Sequence, residues 1–182
     1  MQRLFGERTE WHTPGVAVIT SPIVRIARHA PDRAIYTRFR APERIEQAKG
    51  QWQAYYRRWQ SVLADRNDQD LYDLVHPLRP FVPPGLVVDK LGFSAFEAPE
   101  LEPMLRDLGA STLVLTGVET DVCVLATLFG AIDRGYRVVL VADAIASSDP
   151  TSHSATLSHV VPRFDRQVEV TDTDTLLRDW QP

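Results

Sequence analysis

The residues best equipped for chemistry are a single cysteine, Cys123, and a lysine, Lys90. Cys123 lies in the stretch Thr116-Gly-Val-Glu-Thr-Asp-Val-Cys-Val124, which starts at a predicted strand end and runs into a predicted helix. A cysteine in the first turn of a helix faces the positive end of the helix dipole and unpaired backbone amides. Both favour the thiolate. Lys90 closes the predicted strand Leu86-Val-Val-Asp-Lys90 and can bring a second positive charge toward the sulfur. Such surroundings activate a nucleophile. The same residues also have a plainer reading. A cysteine among Val122, Val124 and Leu125 fits an inert core position, and a lysine at a strand end fits a solvated charge.

The elements that would position these residues alternate along the chain. Ser21-Pro22 has the form of a helix start, with Ser as N-cap and Pro as the first helical residue, ahead of Ile23, Val24, Ile26 and Ala27. The fifteen opening residues read as an irregular segment anchored by Phe5 and Trp11. Ala34–Phe39 has the composition of a short strand. Trp52, Tyr55, Tyr56 and Trp59 recur so as to line one side of a helix. Prolines 77, 80, 83 and 84 mark a turn-rich approach to the strand that ends at Lys90. Beyond it the pattern predicts a helix near 99–108, a strand over 112–116, a helix over 121–134 and a strand over 137–142. A helix near 151–160, a strand over 167–170 and a helix near 173–180 follow. Gly109 and Gly135 stand where C-cap glycines belong.

Strands alternating with helices of this length imply βαβ units and a three-layer, Rossmann-like, mostly parallel sheet with helices on both faces. Ligands in such sheets bind beyond the carboxyl ends of the strands, where Lys90 and the segment after Thr116 fall. At 182 residues and 20.6 kDa the chain fits one domain, residues 1–182. A formal charge of -4 gives no reason to expect a nucleic-acid partner. One cysteine cannot form an intramolecular disulfide or a cysteine-based zinc cluster within the chain. The expected setting is a reducing cytoplasm, with no membrane association and no cofactor.

Three blocks, VVDKLGFSAF at 87–96, TGVETDVCVLAT at 116–127 and GYRVVLVADAIASS at 135–148, resemble the isochorismatase-like cysteine hydrolases. That superfamily includes nicotinamidases and N-carbamoylsarcosine amidases. The resemblance implies that Cys123 is the nucleophile, Lys90 the catalytic lysine, and Val118-Glu119 a cis peptide aiming the amides of Glu119 and Cys123 into an oxyanion hole. It implies an amidohydrolase forming a thioester from a small-molecule amide, and a homo-oligomer. Asp121 is expected to cap the start of its helix and Asp143 to order a loop.

The resemblance also implies a catalytic aspartate in an Asp-x-Gln motif after the first strand. Met1-Gln2 looks like the remainder of Asp-Met-Gln, so this chain is expected to be N-terminally truncated, without the first central strand and with impaired activity. Nicotinamidases of the superfamily carry Asp-x-His-x-x-His after the second strand. The matching residues 36–42 hold neither histidine nor aspartate, so no metal is expected. Arg38, Trp52, Tyr56 and Trp59 are candidates for substrate binding, although the aromatics also suit helix packing or a subunit interface. The rival readings are a non-catalytic interaction protein on a decayed hydrolase fold and a thiol redox sensor.

Overall fold

The computed structural model describes residues 1–181. In chain order the elements are α1 (Arg3–Gly6), α2 (Gly15–His29), β1 (Ile35–Phe39), α3 (Trp52–Arg58), β2 (Leu86–Lys90) and α4 (Leu101–Asp107). There follow β3 (Thr112–Val118), α5 (Leu125–Asp133), β4 (Arg137–Ala146), α6 (Pro150–Ala155), β5 (Val168–Thr171) and α7 (Thr173–Asp179). Every strand pairing is parallel, and the strands form two groups, β1–β2 and β3–β4–β5.

β4 organises the larger group. Val138, Val139, Leu140 and Val141 are all buried, which an unbroken apolar run achieves only when both sheet faces are covered. Val139 and Val141 pack with Ile19 and Ile23 of α2 and Leu176 of α7. Val138 and Leu140 pack with Leu128 and Ala131 of α5 on the other face. α4 adds Leu101 and Leu105 against Val88 of β2. The result is the three-layer arrangement expected from the alternation.

Between the two groups lies a slot of about 480 Å³. Ile35, Tyr36 and Thr37 of β1 line one side and Thr112–Thr116 of β3 line the other. Arg33 Nη1 donates to Leu108 O at 2.8 Å and ties the two groups at their N-terminal ends. Lys90 and Cys123 close the opposite end.

α2 begins seven residues earlier than the Ser-Pro signal indicated, at Gly15, and Pro22 lies inside it. Its buried face, Val16, Ile19, Ile23 and Ala27, has helical spacing and seats the helix on β4, so packing overrides the local start signal. Gly15 sits where α2 crosses the end of β4: a Cβ there would stand 2.4 Å from the Ala146 Cβ. Cys123 also departs from expectation. It sits in a π-helical turn, Thr120–Val124, that precedes α5 rather than in a regular first turn. Asp121 makes no side-chain cap and instead accepts a hydrogen bond from Ser147 Oγ, because the wider turn carries the first amides out of its reach.

The opening segment is held by Gln2, which is buried. Its Nε2 donates to the carbonyls of Phe39 (2.9 Å) and Tyr72 (2.8 Å), and its Oε1 accepts from Phe39 N (2.7 Å). One amide side chain thus joins the chain start, the end of β1 and the turn-rich segment.

Two substitutions test these contacts by chemical denaturation. Gly15→Ala should cost about 1–3 kcal/mol of stability, because the new methyl group overpacks the crossing of α2 and β4. Gln2→Met keeps the volume and removes the three bonds, and should cost about 1–3 kcal/mol for each backbone group left without a partner.

Candidate active site

The site forms where the ends of β2 and β3 meet. Lys90 is the last residue of β2 and only 4% exposed. Its Nζ donates to the Gly92 carbonyl at 3.2 Å and to the Phe93 carbonyl, so the turn after β2 curls its backbone oxygens around the ammonium. Burial pushes the Lys90 pKa below its ordinary value, and the neighbouring Cys123 sulfur works in the opposite direction. Among the described residues, no carboxylate is paired with this cation.

Cys123 is a free, half-buried thiol. The turn that carries it is shaped at both ends. Gly117, at φ +106°, takes a conformation that a side chain would oppose, and the register between β3 and β4 shifts at this point. The Val118–Glu119 peptide is cis. The Glu119 carbonyl then accepts from Val122 N (3.2 Å) and Val124 N (3.0 Å), which folds the chain around Cys123. Thr127, one turn further on, donates to the Cys123 carbonyl at 2.7 Å and accepts from Ala95 N at 2.9 Å. A single hydroxyl therefore fixes the cysteine turn to the loop that follows Lys90.

The side chains around the turn are engaged in positioning. Glu119 Oε1 accepts from Thr13 Oγ1 (3.1 Å) and from Ser148 N (2.9 Å), joining the segment before α2 to the residues after β4. Thr120, buried, is 2.9 Å from His153 Nδ1. Asp143 Oδ1 accepts from Thr173 N and Oγ1 at 2.8 and 2.9 Å, so it orders the start of α7. Thr127 and Ser148 end two of the blocks that carry the resemblance, but neither they nor Thr13 are singled out for a role. Their roles come from hydroxyl and backbone contacts between distant segments, and single Thr or Ser residues have no diagnostic spacing.

An aromatic wall stands over this end of the slot. Trp52 packs on Phe93 with ring centroids 4.8 Å apart and on Phe39 at 6.2 Å. Trp11 meets Phe39 edge-on at 5.5 Å, Tyr55 at 6.0 Å and Trp59 at 6.3 Å. The Lys90 ammonium lies 5.8 Å from the Phe39 ring centroid. Burial, reinforced by the charges of Cys123 and Glu119, pushes the Tyr55 phenol up to about 12.

Of the four substrate-binding candidates, the structure brings Trp52 to the wall beside Phe93, next to Lys90, and puts Trp59 behind it against Trp11. Tyr56 is buried beneath α3 at 2% exposure. Arg38 is held by Asp89, its partner in the β1–β2 register, through bonds of 2.7 and 3.1 Å, with Asp73 at 3.5 Å. Strand alternation sends it to the sheet face opposite Phe39, so it is not brought together with Cys123. The helical spacing of Trp52, Tyr55, Tyr56 and Trp59 marks the aromatic side of α3 but not which ring reaches the cysteine. The ring near Cys123 and Glu119 is Tyr55, and Phe93 joins the wall through the turn around Lys90.

No helix is long and apolar enough to cross a membrane among the described residues. Comparison with known proteins places the whole arrangement. The Isochorismatase domain model matches residues 1–175. An uncharacterized isochorismatase family protein, PncA, of Bacillus subtilis is 36% identical over 103 residues, covering 55% of this chain and 56% of that protein. The ureidoacrylate amidohydrolase RutB of Methylobacterium radiotolerans is 38% identical over 94 residues, covering 51% of this chain and 36% of that protein. The chain thus spans about half or less of the length of these curated relatives. Among solved structures, a cysteine hydrolase from Pseudomonas syringae pv. phaseolicola superposes with a TM-score of 0.80 at 26% identity, covering 98% of this chain and 87% of that one. The N-carbamoylsarcosine amidase of Thermoplasma acidophilum shares the fold, with a TM-score of 0.71 at 22% identity over 93% of this chain and 90% of that one. With the family model spanning nearly its full length, the chain belongs to the isochorismatase family.

Proposed function

We propose that this protein is a hydrolase of amide or related C–N bonds that works through a thioester on Cys123. The observation that carries the reading is the buried Lys90 set against the only cysteine, at the carboxyl ends of two parallel strands. A cation kept out of water beside a thiol supplies the positive charge that favours a thiolate, and a structural lysine gains nothing from that position. The relatives support the reaction class: one is a ureidoacrylate amidohydrolase and another an N-carbamoylsarcosine amidase.

In this reading the Cys123 thiolate adds to the substrate carbonyl, and the backbone amides of Glu119 and Cys123 receive the negative charge that develops on its oxygen. The C–N bond breaks, the amine leaves with a proton, and the acyl group remains on sulfur until water hydrolyses the thioester. Glu119, through its bonds to Thr13 and Ser148, is a positioning residue for the first of these amides. The wall of Trp52, Tyr55 and Phe93 favours a flat, largely apolar acyl group. The proton moving from thiol to leaving nitrogen needs a carrier. Resemblance assigns that role to an aspartate, and Lys90 has no carboxylate partner among the described residues.

The test is a library of small amides with mass detection of acyl–Cys123. The thioester should accumulate on the native chain and be absent from Cys123→Ala. Failure of every amide to acylate Cys123, combined with reversible oxidation of its thiol by dilute peroxide, would favour thiol sensing instead. A second measurement needs no substrate. Alkylation of Cys123 by iodoacetamide at pH 7.5 should slow about tenfold or more in Lys90→Met, because the positive charge packed against the sulfur is lost. An unchanged rate would remove Lys90 from the mechanism.

A further inference from the structure

Three successive residues lead into the cysteine turn, and each is held by the segment that follows β4. Glu119 Oε1 accepts from Ser148 N at 2.9 Å, Asp121 accepts from Ser147 Oγ, and the Thr120 hydroxyl lies 2.9 Å from His153 Nδ1. Glu119 and Asp121 are half-buried, so water can stand in for a lost partner. Thr120 is only 1% exposed, and His153 is its one side-chain partner among the described residues. Loss of that bond would leave a buried hydroxyl unanswered. The Thr120 carbonyl accepts from Leu125 N, the bond that closes the π-helical turn around Cys123. His153 is itself fixed. Asp149 caps α6 by accepting from Thr151 N (2.8 Å) and Ser152 N (3.3 Å), and its carbonyl accepts from His153 N at 3.0 Å. A threonine hydroxyl can donate to a bare ring nitrogen or accept from a ring N–H, so the contact holds in either protonation state of the imidazole.

We propose that His153 is a positioning residue for the cysteine turn: by holding the buried Thr120 hydroxyl it fixes the direction of the backbone amides of Glu119 and Cys123. Its consequence for acyl transfer rests on the reading that these amides receive the oxyanion. Such donors act only when they are aimed at the place where charge develops. A misplacement of about 1 Å can cost on the order of a hundredfold in rate. The role is separate from activation of the sulfur, which the Lys90 ammonium supplies in the same reading. Loss of His153 therefore slows reactions that put charge on a carbonyl oxygen and spares those that need only the thiolate. A histidine that merely packed α6 against its neighbours would show no such selectivity.

Two reagents separate the roles. Acetyl transfer from p-nitrophenyl acetate forms an S–C bond, breaks a C–O bond and releases nitrophenolate by way of an oxyanion. Alkylation by iodoacetamide forms an S–C bond and expels iodide, with no charge placed on a carbonyl oxygen. In His153→Phe, which keeps a flat ring without its nitrogens, acetylation of Cys123 should slow about ten- to a hundredfold while alkylation stays within about twofold of the native rate. His153→Asn, whose amide can occupy the place of Nδ1, should recover most of the acetylation. Thr120→Val removes the same bond from the other side and should match His153→Phe, with the double variant no slower than either. Hydrogen exchange at residues 119–124 should quicken in His153→Phe and return in His153→Asn, a readout that needs no reaction. A native acetylation rate in His153→Phe would overturn the proposal. So would equal slowing of both reagents with no recovery in His153→Asn. If His153→Phe does not fold, Thr120→Val and His153→Asn decide by the same comparison. A native chain that takes up no acetyl group on Cys123 removes the thioester reading instead. Exchange at 119–124 then decides for His153 alone, and unchanged exchange in His153→Phe overturns its role.

Discussion

An ammonium group removed from water is the constraint around which this molecule is arranged. Lys90 is nearly inaccessible, and an ion in that position must be repaid with dipoles or counter-charge. The repayment begins with the carbonyls of Gly92 and Phe93, which explains why the chain turns sharply after β2 rather than continuing outward. That turn brings Phe93 into the aromatic wall and Ala95 to the hydroxyl of Thr127, which in turn anchors the cysteine turn. Position of the sulfur, shape of the aromatic wall and seating of α5 thus follow from how one cation is solvated by protein.

Hydrophobic and glycine patterns made the second half of the chain legible from sequence. The strands starting at Thr112 and Arg137 and the glycines closing α4 and α5 sit where local pattern places them, although β3 runs on to Val118 and β4 to Ala146. Reading failed where the determining contacts are distant. Ser21-Pro22 carries a good start signal, yet α2 begins at Gly15 because its apolar face must reach along β4. Asp121 has the chemistry of a cap, but a π-helical turn lies where a regular first turn was expected. Residues 40–80 form short 3-10 turns and one seven-residue helix, which have no long periodicity to read. Their order comes instead from rings: Trp11 of the opening segment touches Tyr55 and Trp59, partners more than forty positions away.

The same division appears in the polar contacts. Glu119 and Asp121 lie in a block whose resemblance to known hydrolases is plain, but their side chains are occupied by Thr13, Ser147 and Ser148. Two acids beside a cysteine invite an acid–base reading. Their hydrogen bonds assign them to fastening: Glu119 ties the start of α2 to the residues after β4, and Asp121 holds the cysteine turn to Ser147. β4 extends to Ala146, beyond its pairing with β5, and so delivers Ser147 and Ser148 to the site directly from the most buried strand of the core.

One feature of the wall bears on how such a protein diversifies. Its rings come largely from the opening segment and from α3 in the turn-rich stretch, whereas the cysteine, the lysine and the cis peptide belong to the sheet and its first turns. The wall and the residues beneath it are thus supplied largely by separate stretches of the chain. Exchange of the stretch between β1 and β2 would replace the wall together with Val62, Leu63, Tyr72, Leu74 and Leu78 of the buried core, so this end of the molecule can change only as a packed unit.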